Sequence, residues 1–360
     1  MIDLFADVSD SVRISAPERI HRPIGIVGAG AIMNVAHLPA YAGAGLPVVA
    51  VTDADPQKAR ATADRHHIPR VYESLGDLLA DREVEVVDIA VPSTAQEQIA
   101  TAAISSGRHV VAQKPFAPNV QTGTRIVEAA EAQRVMLAVN QQLRFDEGMA
   151  AAHRMVELGW IGELTCMSIN VDIWTEWSDW PWMLTTDRLE ISNHSIHYHD
   201  VVRWFLGDPD AVFCAAGRVP GQQAVGETRT VSTYLYGSGV RAVVHANHMN
   251  DHGDNRAEFR IDGTAGAIRG TLGLLYDYPH GRPDTLEVNS SVVPTDGWVP
   301  YPVTSRWIPD AFLGPMSSLL WALADGRPLR SSGRDNLGTL RLVDALYESI
   351  ASAQVVRLDG

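Results

Sequence analysis

Cysteine is nearly missing from this chain of 360 residues: Cys166 and Cys214 are the only two. They are too few for a disulfide framework and fit a reducing, cytoplasmic setting. Also missing is any apolar run long enough to span a bilayer. The segment Met1 to Pro23 carries Asp3, Asp7 and Asp10 and lacks the basic and apolar stretches of a signal peptide. Basic charge is in deficit, with 29 Lys and Arg against 43 Asp and Glu and a formal net charge of −14. That balance argues against nucleic acid or an anionic membrane surface as a partner. No internal repeat or low-complexity tract is present. The remainder, 46% hydrophobic and 20% charged, reads as a soluble globular chain with material for two domains.

The stretch Gly25-Ile26-Val27-Gly28-Ala29-Gly30-Ala31-Ile32 joins a short apolar strand, Ile24 to Val27, to a segment of helical character, Met33 to Tyr41. Gly28 permits a sharp turn, and Gly30 lets the backbone approach a pyrophosphate. The helix start at Ala31 and Ile32 offers unpaired N–H groups and the positive end of the helix dipole. Met33 stands where the usual dinucleotide fingerprint has its third glycine. Pro47 to Thr52, rich in valine, reads as a strand buried on both faces. It ends at Asp53, about 23–25 residues past the glycines, the spacing of a carboxylate that accepts from the adenosine ribose hydroxyls. The competing role is to cap a helix over Pro56 to His66, which Asp55 could equally do. No Arg or Lys adjoins Asp53 to receive a 2′-phosphate, so NAD is expected rather than NADP.

Further strands read at Glu85 to Val91, His109 to Ala112 and Val135 to Val139, alternating with helices at Ala95 to Ser106 and Thr122 to Ala132. Five strands in this alternation predict an α/β, doubly wound parallel sheet of Rossmann type. Ligands of such sheets sit beyond the carboxyl ends of the strands, where Gly28, Asp53, Pro92, Ser93 and Lys114 all fall. Residues 107–115, Gly-Arg-His-Val-Val-Ala-Gln-Lys-Pro, resemble the GKHVxxEKP signature of the glucose–fructose oxidoreductase and inositol dehydrogenase (Gfo/Idh/MocA) family. Gln113 replaces the usual glutamate. The likeness continues through Val139-Asn140-Gln141-Gln142-Leu143-Arg144 and covers nearly the whole chain. It implies that Lys114 reaches both the nicotinamide ribose and the substrate, that Gln113 lies at the cofactor, and that Pro115 follows a cis bond. Arg144, at the crossover from the dinucleotide half, is a candidate substrate residue.

Beyond Arg144 the pattern changes. Asp146 to Leu158 reads as a helix, and apolar alternation marks strands at Glu163 to Trp174, Ala211 to Val219, Thr230 to Tyr236, Val240 to His248, Ala257 to Asp262 and Ala267 to Thr271. Short connections such as Gly237-Ser238-Gly239 predict a large, mostly antiparallel open sheet in an α+β domain. Helices are expected over Phe312 to Ala324 and Asn336 to Ala353. The expected division is an N-terminal extension (1–22), a Rossmann domain (23–143) and a substrate and oligomerisation domain (144–360), whose last helices can pack back on the first. The resemblance implies homo-dimer or homo-tetramer contacts through the open sheet.

Glu190 to Pro209 holds the remaining chemistry. Asn193 and His197, four residues apart, share a helical face, with Asp200 one turn on. The segment resembles the family's DxGxHxxD…RWLxG helix, which implies His197 as acid/base, with Asn193 where relatives carry an aspartate. A carboxylate stabilises an imidazolium, whereas an amide can only hydrogen-bond to the ring. His194, His197 and His199 do not share one face, so no metal is expected. Trp174, Trp177, Trp180 and Trp182 place four of the nine tryptophans within nine residues. The stretch reads as a loop ahead of the His197 helix that either stacks on a sugar or buries a subunit contact or caps the core. Trp174, Trp180 and His194 are taken as substrate residues.

These readings converge on hydride transfer between nicotinamide and a secondary hydroxyl or carbonyl of a sugar or cyclic polyol, with Lys114, His197 and Asn193 as the catalytic set. Two other classes stay open. One is an NAD-dependent glycosidase-type elimination with no net redox change. The other is a nicotinamide-binding regulator without turnover.

Overall fold

The computed structural model describes residues 4–17, 22–177 and 180–358. The chain divides into two compact units. One comprises Ile14–Phe145 with Ile308–Leu340; the other takes in the first helix, Asp146–Trp307 and the chain from Arg341 onward. Among the described residues no helix is long and apolar enough to cross a membrane.

The first unit is built on a six-stranded parallel sheet: β1 (Ile24–Val27), β2 (Val48–Thr52), β3 (Arg70–Val71), β4 (Val86–Ile89), β5 (His109–Gln113) and β6 (Leu137–Asn140). Their order, β3-β2-β1-β4-β5-β6, reverses direction between β1 and β4, the switch point where such sheets open a ligand crevice. The sixth strand, β3, escapes sequence reading because two residues are too short for an alternation to show. Helices α2 (Leu38–Gly43), α3 (Pro56–His66), α4 (Leu75–Ala80), α5 (Ser93–Ser105) and α6 (Val120–Gln133) connect the strands. Strands β1, β4 and β6 are buried at every residue, as a sheet covered on both faces requires. Helix α9 (Leu313–Asp325) comes from the far end of the chain and packs against β5 and β6. Leu337 and Leu340 of α10 (Gly333–Ser352) join the same core with Phe116, Ile126 and Val127.

The second unit carries α1 (Ala6–Val12), α7 (Glu147–Glu157) and α8 (Ile196–Leu206) with a nine-stranded sheet. Its strands are β7 (Leu164–Asp172), β8 (Ala211–Gly217), β9 (Arg229–Leu235), β10 (Arg241–Asn247), β11 (Arg256–Gly263), β12 (Gly266–Thr271), β13 (Leu286–Ser290), β14 (Val299–Tyr301) and β15 (Val356–Arg357). The order is β14-β13-β12-β11-β7-β10-β9-β8-β15, antiparallel throughout except that β7 and β10 run parallel. Strict alternation of buried and open residues along β9, β10 and β11 gives one covered and one open face, and α8 packs against β7 and β10. Asp146 caps α7 through the N–H groups of Gly148 (3.2 Å) and Met149 (3.4 Å) and shares a hydrogen bond with Asp284, which accepts from the Gly273 N–H at 2.6 Å. Burial, then the neighbouring Asp146 charge, pushes the Asp284 carboxyl well above the usual carboxylate range.

Candidate functional site

In the first unit, the glycine turn closes where β1 ends. Gly28 has a φ of 98°, and a Cβ there would lie 2.4 Å from the Ala90 carbonyl oxygen, so only glycine fits. Gly30 differs: a Cβ there would meet nothing within 4 Å. The fold does not require glycine at that position, and the space beside the backbone there is open. The chain then enters a helix whose first part, Met33–His37, is π-helical before it settles into α2. The expected helix over Met33 to Tyr41 is therefore irregular where it begins. Met33, which stands where the third glycine is expected, is fully buried. Asn34, not singled out from the sequence, donates to the Ala29 (3.1 Å) and Gly30 (3.0 Å) carbonyls and to Thr62 Oγ1 (3.0 Å), tying the turn to α3. The π-turn that places Asn34 there leaves no mark in the sequence.

Asp53 stands at the end of β2. Its carboxylate accepts from the Ala29 N–H at 2.6 Å and the Asp55 N–H at 2.7 Å. The helix α3 is capped by Asp55, which accepts from the Gln57 N–H at 2.9 Å, so Asp53 is released from the capping role. Pro92 and Ser93 begin α5 at the end of β4, and Pro92 is exposed. Lys114 follows β5, is half-buried, and is joined to Pro115 by a cis bond. Burial lowers its ammonium from 10.5 to about 8. The Gln113 side chain is buried and faces His37. Arg144 is buried too, its guanidinium 2.7 Å from Asp335 and 3.2 Å from the Arg330 carbonyl.

In the second unit, Glu190 leads into a π-helical turn, Ile191–Ser195, which runs directly into α8. The regular helix expected across Asn193 and His197 is thus wound more widely at Asn193. The Asn193 amide donates to the Leu189 (3.0 Å) and Arg188 (3.2 Å) carbonyls. His197 is buried, with its ring 5.4 Å from Trp307 in an edge-on contact. His199 is a core residue: it pairs with the Tyr234 hydroxyl, and burial drives its imidazole down to about 4. His194 sits in an aromatic cluster, its ring 4.8 Å from His248, 4.9 Å from Trp177 and 6.4 Å from Trp180. Trp180 in turn lies 5.8 Å from Tyr278.

The tryptophan-rich stretch resolves into separate roles. Trp177 is buried against Met183, Leu189 and Ala224, so it caps a core. Trp174, bridged to Met249, and Trp182 are exposed. The stretch is not wholly a loop, because Pro181–Thr185 makes a 3₁₀ turn. Behind the cluster, fully buried Glu190 accepts from Ser195 and from Thr230 (2.7 Å) and lies 3.4 Å from His248 Nε2. Burial alone would raise its carboxyl, but the His248 contact together with the two hydroxyl hydrogen bonds outweighs burial and holds it below the usual range. Tyr278 and Trp307 carried no sequence signal; only tertiary contact sets them against Trp180 and His197. Among the described residues no cluster of three His, Cys, Asp or Glu is arranged to hold a metal ion.

Residues 22–141 match the GFO_IDH_MocA family, described as "Oxidoreductase family, NAD-binding Rossmann fold", and residues 149–269 match the "GFO/IDH/MocA C-terminal domain". D-apiose dehydrogenase of Paraburkholderia graminis is 27% identical over 321 residues, covering 87% of this chain and 84% of that protein. Inositol 2-dehydrogenase of Rhizobium meliloti is 25% identical, covering 93% and 98%. An oxidoreductase from Agrobacterium radiobacter, solved with NAD+, L-tartaric acid and magnesium, superposes with a TM-score of 0.83 at 25% identity and covers 94% and 98%. The strand order, the glycine turn and the anchored Asp53 fit an NAD-binding Rossmann unit.

Proposed function

The chain belongs to the Gfo/Idh/MocA oxidoreductase family and is an NAD-dependent dehydrogenase of CH–OH groups; from that premise we propose that it oxidises a secondary hydroxyl of a sugar or cyclic polyol, with Lys114 and His197 as its proton-handling residues. The observation that carries this reading is Lys114. A half-buried lysine at the carboxyl end of β5, with its ammonium lowered to about 8, can hold or give up a proton near neutral pH. NAD supplies the hydride acceptor.

Gly28, Gly30, Ala31 and Ile32 would cradle the pyrophosphate, and Asp53, with a second lone pair on each oxygen, would accept from the ribose hydroxyls. Pro92 and Ser93 would flank the nicotinamide end. Lys114 would donate to the substrate oxygen as charge develops on it, and His197 would take the hydroxyl proton. The Asn193 amide, anchored to two carbonyls, would steer His197 or a substrate hydroxyl through its oxygen. Trp180, Trp174 and His194 present aromatic surface suited to the C–H face of a sugar. The names of the relatives, D-apiose dehydrogenase and inositol 2-dehydrogenase, support the same substrate class.

The test is to assay K114A and H197A with NAD+ on a panel of free sugars, polyols and glycosides. Turnover should fall by on the order of a hundredfold or more, with NAD+ affinity nearly unchanged. Near-normal turnover in both variants refutes the assignment. Release of sugar from a glycoside without accumulation of NADH would instead identify an elimination with no net redox change.

A further inference from the structure

Resting on the reading of Lys114 as a reacting group, we propose that Gln113 and Gln96 are positioning residues that clamp the Lys114 main chain from both sides, with Gln113 itself locked by the buried His37–Asp88 pair. The argument begins with one N–H. The Lys114 backbone N–H donates to the Gln113 side chain at 2.7 Å. A backbone N–H requires an acceptor, so the amide oxygen lies at Lys114 and the amide NH₂ turns away from it. That NH₂ faces His37 Nε2 at 3.2 Å, and the Asn140 NH₂ faces the same nitrogen at 3.1 Å.

Two donors at Nε2 require a lone pair there, so the ring proton sits on His37 Nδ1. Nδ1 donates to Asp88 Oδ2 at 2.8 Å, and the Tyr41 hydroxyl donates to the same oxygen at 2.7 Å. His37, Asp88 and Tyr41 are each 0% exposed. A carboxylate on β4 thus decides which way round the Gln113 amide is held, and through it which atom faces Lys114.

On the other side, Gln96 of α5 donates its NH₂ to the Gln113 carbonyl at 2.6 Å and to the Pro115 carbonyl at 3.1 Å. These are the carbonyls of the residues before and after Lys114. Gln96 is fully buried and Gln113 nearly so, and the Gln96 NH₂ and both polar groups of Gln113 are bonded within the protein. This assigns Gln113 a different task from the cofactor contact expected from sequence. It also gives a reason for an amide here. Glutamate would keep an acceptor for the Lys114 N–H but would set a second oxygen against the His37 lone pair, and one of the two would have to take up a proton.

The chain contains only two lysines, Lys58 and Lys114. Labelling the lysine ε-carbon with 13C therefore yields two side-chain signals, which K114A assigns. In Q113L and Q96M the Lys114 titration should move up by about one pH unit as the side chain swings toward water. Turnover on the sugar that the wild type oxidises fastest should fall on the order of ten- to a hundredfold, with NAD+ affinity retained. Q113E, which keeps the acceptor, should recover most of the turnover. An unmoved Lys114 titration in both variants overturns the clamp. So does lost NAD+ affinity with Lys114 unchanged, which would return Gln113 to the cofactor. Failure of both variants to fold also overturns it, because the glutamines would then support the domain rather than the lysine. If K114A keeps full turnover, the catalytic reading of Lys114 falls, while the titration still decides the clamp.

Discussion

Holding an ammonium in a half-buried place should weaken the fold, and Lys114→Met measures by how much. An unfolded lysine keeps its proton up to about 10.5, whereas burial brings Lys114 down to about 8. At roughly 1.4 kcal/mol per tenfold change in proton binding, that difference is worth at most about 3.5 kcal/mol. Partial contact with water screens the charge, so about 1–3 kcal/mol is the expected range. The sign follows from linkage. Between about pH 8 and 10.5 the unfolded chain binds the proton and the folded chain has released it, so stability rises with pH through that window. Below pH 8 the full destabilisation is present. K114M, which keeps the stem and removes the charge, should therefore melt several degrees above the wild type at pH 7. The gap should close as pH approaches 10.5. Calorimetric scans of both proteins across this range provide the assay, with NAD absent from both. A K114M protein no more stable than wild type at pH 7, or a gap independent of pH, refutes the claim that burial sets the Lys114 proton affinity. A stabilised but inactive variant would show that the reactive lysine is kept at the expense of the fold.

The two glycines of the turn should separate by phenotype. G28A forces a positive φ on alanine and a clash with the Ala90 carbonyl, so it should destabilise by about 1–3 kcal/mol and abolish NAD+ binding. G30A meets open space, so its melting temperature should stay near wild type while NAD+ affinity drops, as titration calorimetry would show. Asp284 carries the opposite linkage to Lys114. Its carboxyl is pushed well above the usual range, so the stability tied to its proton is present in acid and lost as pH rises through the raised value. D284N, a permanently neutral donor to Asp146, should be more stable than wild type at pH 8 and closer to it at pH 5. An equal gap at both pH values would count against a shared proton.

Much of the fold was legible in the chain because its signals are local. Valine-rich runs ending in Gly28, Asp53 and Lys114 mark parallel strands buried on both faces, and apolar alternation marks the strands of the open sheet. The element boundaries differ by up to three residues, as with β4, which closes at Ile89 rather than Val91, and α10, which opens at Gly333 rather than Asn336. The strands β3, β13, β14 and β15 were not read from the sequence, and the shortest of them exist only through their neighbours' hydrogen bonds. The π-turns at Met33–His37 and Ile191–Ser195 were also hidden. Helical periodicity predicts which residues share a face only while the winding stays regular, and at Asn193 it does not.

The site divides in the same way. Residue type and position brought forward the glycine turn and Asp53 as candidates, because backbone freedom and a carboxylate are chemical needs written in single letters, while Lys114 and His197 took their expected roles from the family resemblance. Direction was decided by the tertiary structure. Sequence could not tell that Asp55 caps α3 and leaves Asp53 to the glycine turn, that His199 belongs to the core while His194 joins an aromatic cluster, or that Gln113 turns inward. Each of these depends on hydrogen-bond partners far along the chain, as His37 and Asn140 are to Gln113. A side chain's orientation is the joint solution of such distant contacts, and no local pattern carries it.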